Sequence, residues 1–144
     1  MSEKTELKPS FLVVDDEPAV GRLLKRALAP LTDDIVVVES AAEALQVCLG
    51  RSFDLVVRDM RMPGMDGAKM LRRIKDSHPE IMTILLTGHA DFEFGGSQAL
   101  QSGFLFKILI KPCPPQQLSA AIKLAIEAKD ENNEENEKAP DTVL

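Results

Sequence analysis

Five short, nearly continuous apolar runs constrain the fold of this 144-residue chain more than any other feature. Runs of this length, rich in Val, Ile and Leu, are typical of strands buried on both faces. Segments with helical spacing of apolar residues follow each run, and Pro18 and the capping-box pattern at 40–43 mark two helix starts. The predicted strands are 11–14, 35–38, 55–57, 81–86 and 104–110, and the predicted helices begin near residues 18, 40, 67, 91 and 114.

This alternation predicts an α/β fold: a doubly wound, five-stranded parallel sheet with right-handed crossovers and five helices, on both faces. Periodicity alone does not fix the order of the strands. We expect Leu23 in the first helix and Leu49 in the second to point inward with their apolar neighbours. The helix predicted at 91–102 contains Gly95-Gly96, which should make it short, late or mobile because glycine is a poor helix former.

Composition indicates one globular domain with an aliphatic core, since apolar residues make up 44% of the chain and Trp and Tyr are absent. The net charge is −6, and residues 127–144 contribute −5 of it, so the remainder carries about −1. Without a basic surface, the chain is not expected to bind nucleic acid directly. We expect an N-terminal arm at 1–9, the domain at 10–128, and an acidic tail or the start of a linker at 129–144, either fraying or disordered.

The chain shows no signal for export or for a membrane. Residues 1–10 are polar and lack the apolar segment of a signal peptide, and no apolar run approaches the ~20 residues of a membrane span. The cysteines, Cys48 and Cys113, form no CxxC motif or disulfide framework. We therefore expect a cytoplasmic protein with reduced thiols.

Polar residues end four of the five predicted strands. Because parallel strands point the same way, their carboxyl ends lie on one edge of the sheet, where open α/β sheets place their binding sites. The groups at this edge are Asp15 and Asp16 after the first strand, Asp59 after the third, Thr87 after the fourth and Lys111 after the fifth.

Three crowded carboxylates repel one another and require compensating positive charge. Lys111 offsets one charge, and a hard divalent cation such as Mg²⁺ suits the oxygen ligands that remain. A carboxylate is also a nucleophile toward phosphorus, and phosphoryl transfer depends mainly on positioning and charge neutralisation. We predict Asp59 as the nucleophile, Asp15 and Asp16 as metal ligands, and Thr87 and Lys111 as groups that contact the phosphoryl oxygens.

Each of these residues also has an ordinary interpretation. Paired acids after a strand frequently serve only as favourable charge at a helix start. Thr87 alone is typical of a turn, and Lys111 alone is typical of a surface charge. The functional hypothesis depends on the coincidence of all of them at one edge.

The motifs Val13-Val14-Asp15-Asp16-Glu17-Pro18, Asp59-Met60-Arg61-Met62-Pro63-Gly64-Met65-Asp66-Gly67, Leu86-Thr87-Gly88 and Lys111-Pro112 resemble those of the receiver domain of bacterial two-component response regulators. The resemblance covers roughly residues 10–128, with every landmark in order. It implies a flavodoxin-like sheet of order 2-1-3-4-5 and a cytoplasmic signalling module that switches on phosphorylation.

The resemblance also implies residue roles. Asp59 is expected to become the 4-aspartylphosphate, with a phosphohistidine on a sensor histidine kinase or phosphotransfer protein as the donor. Mg²⁺ is expected to be bound by Asp16, Asp59 and the backbone carbonyl of Arg61, with Asp15 acting through water. Thr87 and Lys111 take the switch-hydroxyl and phosphate-lysine positions. The surface of the 91–102 helix, the fifth strand and the last helix is the expected switch and a face for partners or a homodimer.

Three positions qualify this picture. Ile108 stands where the family usually carries an aromatic residue coupled to the switch hydroxyl, so switching by an aromatic rotamer is in question. Arg61 and His89, each two residues past Asp59 and Thr87, are predicted to tune how readily water attacks the acyl phosphate.

Three rival functions remain. An Asp-nucleophile phosphatase usually has a second Asp two residues after the nucleophile, where this chain has Arg61. A flavin or nucleotide binder needs a phosphate-binding loop after the first strand, where the acids at 15–17 repel phosphate. An inert receiver-like interaction module would ordinarily lack one of the acids, Thr87 or Lys111. We therefore expect a self-phosphorylating and self-dephosphorylating signalling domain rather than a turnover enzyme.

Overall fold

The computed structural model describes residues 8–60, 67–88 and 105–138, which form an α/β sandwich around one sheet. The strands are β1 (Ser10–Val14), β2 (Asp34–Val38), β3 (Leu55–Asp59), β4 (Met82–Thr87) and β5 (Lys107–Ile110). The helices within these ranges are α1 (Pro18–Leu28), α2 (Ala41–Gly50), α3 (Gly67–Ser77) and α4 (Pro115–Lys138). The helix predicted at 91–102 lies outside the described residues.

All neighbouring strands pair in parallel, in the order β2-β1-β3-β4-β5. This confirms the predicted doubly wound sheet and the order implied by the resemblance. Val57 pairs with Val13 of β1 on one side and with Ile84 of β4 on the other, so β3 lies at the centre of the sheet. The carboxyl ends of β1, β3, β4 and β5 therefore lie side by side.

Each face of the sheet carries its own apolar core. On one face Val56 and Leu85 pack with α2 and α3, which contribute Cys48, Met70 and Ile74 among others. The side chains of the opposite face belong to a second cluster with α1 and α4, which includes Val57, Ile84, Leu28, Leu118 and Ile122. Because strand side chains alternate between faces, burial on both sides explains why the strands are apolar throughout.

Local sequence determines where the first two helices begin. Pro18 occupies the first turn of α1, where a missing N–H costs no hydrogen bond. The Ser40 hydroxyl accepts a 3.1 Å hydrogen bond from the Glu43 N–H and caps α2, as the capping-box pattern predicted.

The inward placement predicted for two leucines is wrong. Leu23 is 60% exposed and Leu49 is 83% exposed. In α1 the buried residues include Gly21 and Leu28, which face the sheet. Leu23 lies on the other side of the helix and therefore faces solvent. In α2 the buried residues are Ala41, Ala44 and Cys48, and Leu49 lies beyond the edge of that stripe.

The last helix is longer than predicted. Helix α4 continues past residue 128 as far as Lys138, so the segment expected to fray or be disordered is helical through most of its length. Lys129 anchors this part through an ion pair with Asp54 at 2.6 Å. The domain boundary near 128 stays a prediction. No described helix is both long enough and apolar enough to cross a membrane.

Candidate functional site

The predicted site residues lie at the strand ends or directly after them, and backbone hydrogen bonds fix the positions of two of them, Asp15 and Lys111. The N–H of Asp15 donates to Val38 O at 3.0 Å, which prolongs the β1–β2 ladder by one residue. On the other side of the sheet the N–H of Lys111 donates to Thr87 O at 2.8 Å. These bonds place Asp15 and Lys111 at the same edge as Asp59, the last residue of β3.

Asp59 and Lys111 form a direct ion pair between Oδ2 and Nζ. Asp59 is only 4% exposed, whereas the Lys111 side chain is 43% exposed. The carboxylate thus lies at the floor of the site, and the flexible lysine covers it from the solvent side. This contact places a positive charge directly against one of the crowded carboxylates. The peptide bond between Lys111 and Pro112 is cis.

A group of three acids lies beside this pair. Oxygen atoms of Asp15, Asp16 and Glu17 lie within 4.8 Å of one another, with Asp15 buried and the other two exposed. Asp15 Oδ1 also accepts a 2.9 Å hydrogen bond from the Glu17 N–H, which holds the turn after β1. The sequence predicted Asp15 and Asp16 as ligands but gave Glu17 no role, although the Asp-Asp-Glu run contains the signal.

Burial and neighbouring negative charges both act on the Asp15 carboxyl. Burial raises the pKa of the Asp15 carboxyl, and the nearby charges of Asp59 and Asp16 raise it further. The Glu17 N–H and the Lys111 ammonium oppose this rise without cancelling it. A divalent cation would relieve the repulsion, and clustered carboxylate oxygens are the ligands that Mg²⁺ prefers. The residues present therefore fit a magnesium site.

Thr87 is buried at the end of β4, next to the end of β3. Leu86, the residue before it, pairs with Asp59 in the sheet register. The Thr87 hydroxyl donates a 3.0 Å hydrogen bond to Gly88 O. A rotation about its side-chain bond would free this donor for another acceptor at the same edge.

Arg58 is a site-adjacent residue that the sequence interpretation missed. It is completely buried, and its Nε–H donates a 3.1 Å hydrogen bond to the backbone carbonyl of Asp59. The available signal was an arginine inside a strand whose other residues before Asp59 are apolar.

Of the three remaining predicted positions, only Ile108 lies among the described residues. Arg61 and His89 lie outside the described residues. Ile108 is half-buried and packs against the core between the sheet and α2 and α3. Phe106, two residues earlier, packs against the opposite core.

Comparison with known proteins decides the family. The model of the response regulator receiver domain matches residues 11–123, which is most of the chain. The chain belongs to the response regulator receiver domain family. Its strand order and the acidic edge of its sheet are those that the resemblance implied.

Relatives of this receiver domain occur in proteins of different architecture. It is 37% identical over 114 residues to the DNA-binding transcriptional regulator NtrC of Escherichia coli K12, covering 79% of this chain but only 24% of NtrC. A response regulator receiver domain protein from Clostridium thermocellum is 35% identical with a TM-score of 0.77, covering 85% of this chain and 97% of that one.

A solved structure described as an adenylate cyclase from Rhodopirellula baltica superimposes with a TM-score of 0.85 at 31% identity. The match covers 94% of this chain and 100% of that one. The domain thus serves as a receiver module of two-component phosphorelay signalling, while its relatives do not share one output.

Proposed function

We propose that Asp59 is the phosphoacceptor of this receiver domain and takes its phosphoryl group from a phosphohistidine on a sensor histidine kinase or phosphotransfer protein. The observation that carries the proposal is a buried carboxylate at the end of the central strand, ion-paired with Lys111 beside the Asp15–Asp16 cluster. This arrangement joins a nucleophile to the charge neutralisation that phosphoryl transfer requires.

In the transfer step an Asp59 carboxylate oxygen attacks phosphorus. The new P–O bond forms as the P–N bond to the donor histidine breaks, and the electron pair of that bond stays with the imidazole nitrogen. Asp15, Asp16 and Asp59, with the backbone carbonyl of Arg61, are the residues that would hold Mg²⁺. The bound ion would neutralise charge on the phosphoryl oxygens.

Lys111 and Thr87 act on the product. The Lys111 ammonium exchanges its carboxylate partner for a phosphoryl oxygen and keeps an ion pair throughout. The Thr87 hydroxyl leaves Gly88 O and donates to another phosphoryl oxygen, which draws the end of β4 toward Asp59. Arg61 and His89 tune the attack of water that ends the signal.

The switched surface includes β5, the edge strand of the sheet, and the adjoining part of α4. Ile108 is half-buried there without the usual aromatic ring, so we propose that a shift of β5 rather than an aromatic rotamer transmits the change. Ile110, 38% exposed on this strand, supplies apolar surface for an effector or a second copy of the domain.

Phosphorylation by a small-molecule donor tests the assignment. The protein is incubated with acetyl phosphate and Mg²⁺, and intact mass is measured before and after base treatment. We expect one base-labile phosphoryl group in the wild type and none in Asp59→Asn. Asp54→Asn, which changes a carboxylate just before the opposite end of β3, is the matched control and should accept the phosphoryl group normally. A phosphoryl group that persists in Asp59→Asn would overturn the assignment.

A further inference from the structure

Arg58 is an unusual occupant of its position. It lies in the central strand with none of its surface exposed, on the face that carries α3. Burying a guanidinium is costly because the charge loses its hydration and the group is too basic to be neutralised by losing a proton. An apolar side chain of similar volume would fill the same space without that cost.

The Arg58 guanidinium contacts the peptide group that joins Asp59 to Met60. Arg58 Nε–H donates to the carbonyl oxygen of Asp59 at 3.1 Å. On the other side of the same peptide group, the N–H of Met60 donates to Leu86 O at 2.7 Å. The Asp59–Met60 peptide is therefore held at its oxygen by Arg58 and at its hydrogen by β4.

Close packing limits how far the guanidinium can move. A Cβ atom added to Gly67, at the start of α3, would lie 3.4 Å from Arg58 Nε and 3.2 Å from Met60 Cα. The absence of a side chain at Gly67 thus lets α3 approach both the guanidinium and the peptide that it holds. Arg58 lies between the strand end and the helix that follows the loop.

We propose that Arg58 is a positioning residue for the phosphorylation site, fixing the Asp59–Met60 peptide so that the Asp59 carboxylate faces the Asp15–Asp16 cluster. This inference rests on the proposed role of Asp59 as a metal ligand and phosphoacceptor. Rotation of that peptide would change both the direction of the carboxylate and the path of the chain toward Arg61. Hydrogen bonds that orient metal ligands typically change metal affinity by about 10- to 100-fold.

The test measures Mg²⁺ binding without any phosphodonor. The chain has no Trp or Tyr to report binding by fluorescence, so calorimetry on the full chain is used. Arg58→Met keeps the volume and removes the guanidinium. Lys75→Met is the matched control, because Lys75 is a partly buried cation that donates to a backbone carbonyl, that of Ile81, before β4 begins. We expect about 10- to 100-fold weaker Mg²⁺ binding in Arg58→Met and unchanged binding in Lys75→Met.

Thermal unfolding without Mg²⁺ shows whether each variant is folded. Should Arg58→Met fail to fold, the wild-type protein still gives a readout through the NMR signal of the Arg58 Nε–H. That signal should shift on addition of Mg²⁺, whereas the corresponding signal of the distant Arg51 should not.

Two results would overturn the inference. One is a folded Arg58→Met protein that binds Mg²⁺ as tightly as the wild type. The other is an NMR signal of the Arg58 Nε–H that does not shift when Mg²⁺ is added. Either result leaves the phosphoacceptor assignment intact, because that assignment is tested separately by Asp59→Asn.

Discussion

The chemistry of this receiver domain depends on the charge balance around a few buried oxygens. Asp15 and Asp59 are both buried and close enough for the charge on Asp59 to raise the pKa of Asp15. Among the described residues, the ammonium of Lys111 is paired directly with Asp59. Its removal would leave a buried carboxylate without that partner and a phosphoryl group without that donor.

We predict that Lys111→Met slows phosphorylation by acetyl phosphate about 100-fold, the usual effect of removing one donor that stabilises a charged transition state. The rate is measured by following intact mass at saturating Mg²⁺. Lys107→Met removes the same charge from an exposed position at the start of β5, the strand that Lys111 follows, and should leave the rate unchanged. Equal rates in the two variants would show that Lys111 does not act on the phosphoryl group.

The placement of the candidate residues at one edge of the sheet could be predicted from sequence, because each of them lies at the end of a parallel strand or directly after it. The ion pair of Asp59 with Lys111 and the position of Asp15 beside it follow from parallel strands that share one edge. The proximity of Glu17 depends on the turn after β1, and the role of Arg58 depends on its packing beneath Gly67. Such tertiary contacts leave no periodic signal in the sequence.

At the scale of single elements, sequence signals predicted where α1 and α2 begin, but they did not predict fully which side chains of these helices are buried. The spacing of apolar residues predicted the buried stripes of α1 and α2 but not their edges, as Leu23 and Leu49 show. The edge of the α1 stripe is set by Gly21, where the helix approaches β2 so closely that an added Cβ would lie 2.8 Å from Val37 Cγ1. Periodicity carries no information about such a distance.

We predict that Gly21→Ala lowers the free energy of unfolding by about 1–3 kcal/mol, because the new methyl group overpacks the contact with Val37. Gly50→Ala is the matched control, since nothing lies within 4 Å of a Cβ at this last residue of α2. That control should be neutral or stabilise the protein by up to about 1 kcal/mol, because alanine is the better helix former. Urea unfolding measures both.

A second substitution identifies the cause. Val37→Ala removes the methyl group that the new Cβ would meet, so the double variant should lose less stability than the two single changes added together. Additive losses would mean that Gly21→Ala acts through something other than this contact.

Across the whole molecule, the two ends of the sheet have different tasks. The carboxyl edge carries the acids and Lys111, and the amino edge carries the tie between the sheet and the long last helix. Asp54 Oδ1 accepts from Lys129 Nζ at 2.6 Å, and Asp54 Oδ2 accepts from the Ser10 N–H at 2.8 Å. One side chain thus joins β1, the start of β3 and α4. The composition of the sequence predicted that the acidic tail starts at residue 129. In the structure, Lys129 itself ties α4 to the sheet.

The tie gives stability a pH dependence of known sign. Burial favours a higher pKa for the Asp54 carboxyl, but the hydrogen bonds from Lys129 and Ser10 outweigh it and hold the pKa below its usual value. A carboxyl whose pKa is lower in the folded state contributes stability above its unfolded pKa of about 3.9. That contribution is lost as the pH falls through the folded pKa. The folded carboxylate is the form that makes these bonds, so protonation weakens the tie between Lys129 of α4 and the sheet.

We predict that Asp54→Asn lowers Tm by a few degrees at pH 7, because a partly exposed ion pair contributes no more than about 1 kcal/mol. The gap between wild type and variant should narrow below about pH 4, as the pH falls from the unfolded pKa of this carboxyl toward its lower folded pKa. Asp130→Asn removes the same charge from the exposed neighbour of Lys129 and should shift Tm less at every pH. In combination with Lys129→Met, the cost of Asp54→Asn should shrink, since its main partner is already gone. The interpretation would be contradicted if the difference in Tm between wild type and Asp54→Asn stayed constant down to about pH 3 and the effects of Asp54→Asn and Lys129→Met were additive. Contacts other than the Asp54–Lys129 pair would then hold α4 at the amino edge of the sheet.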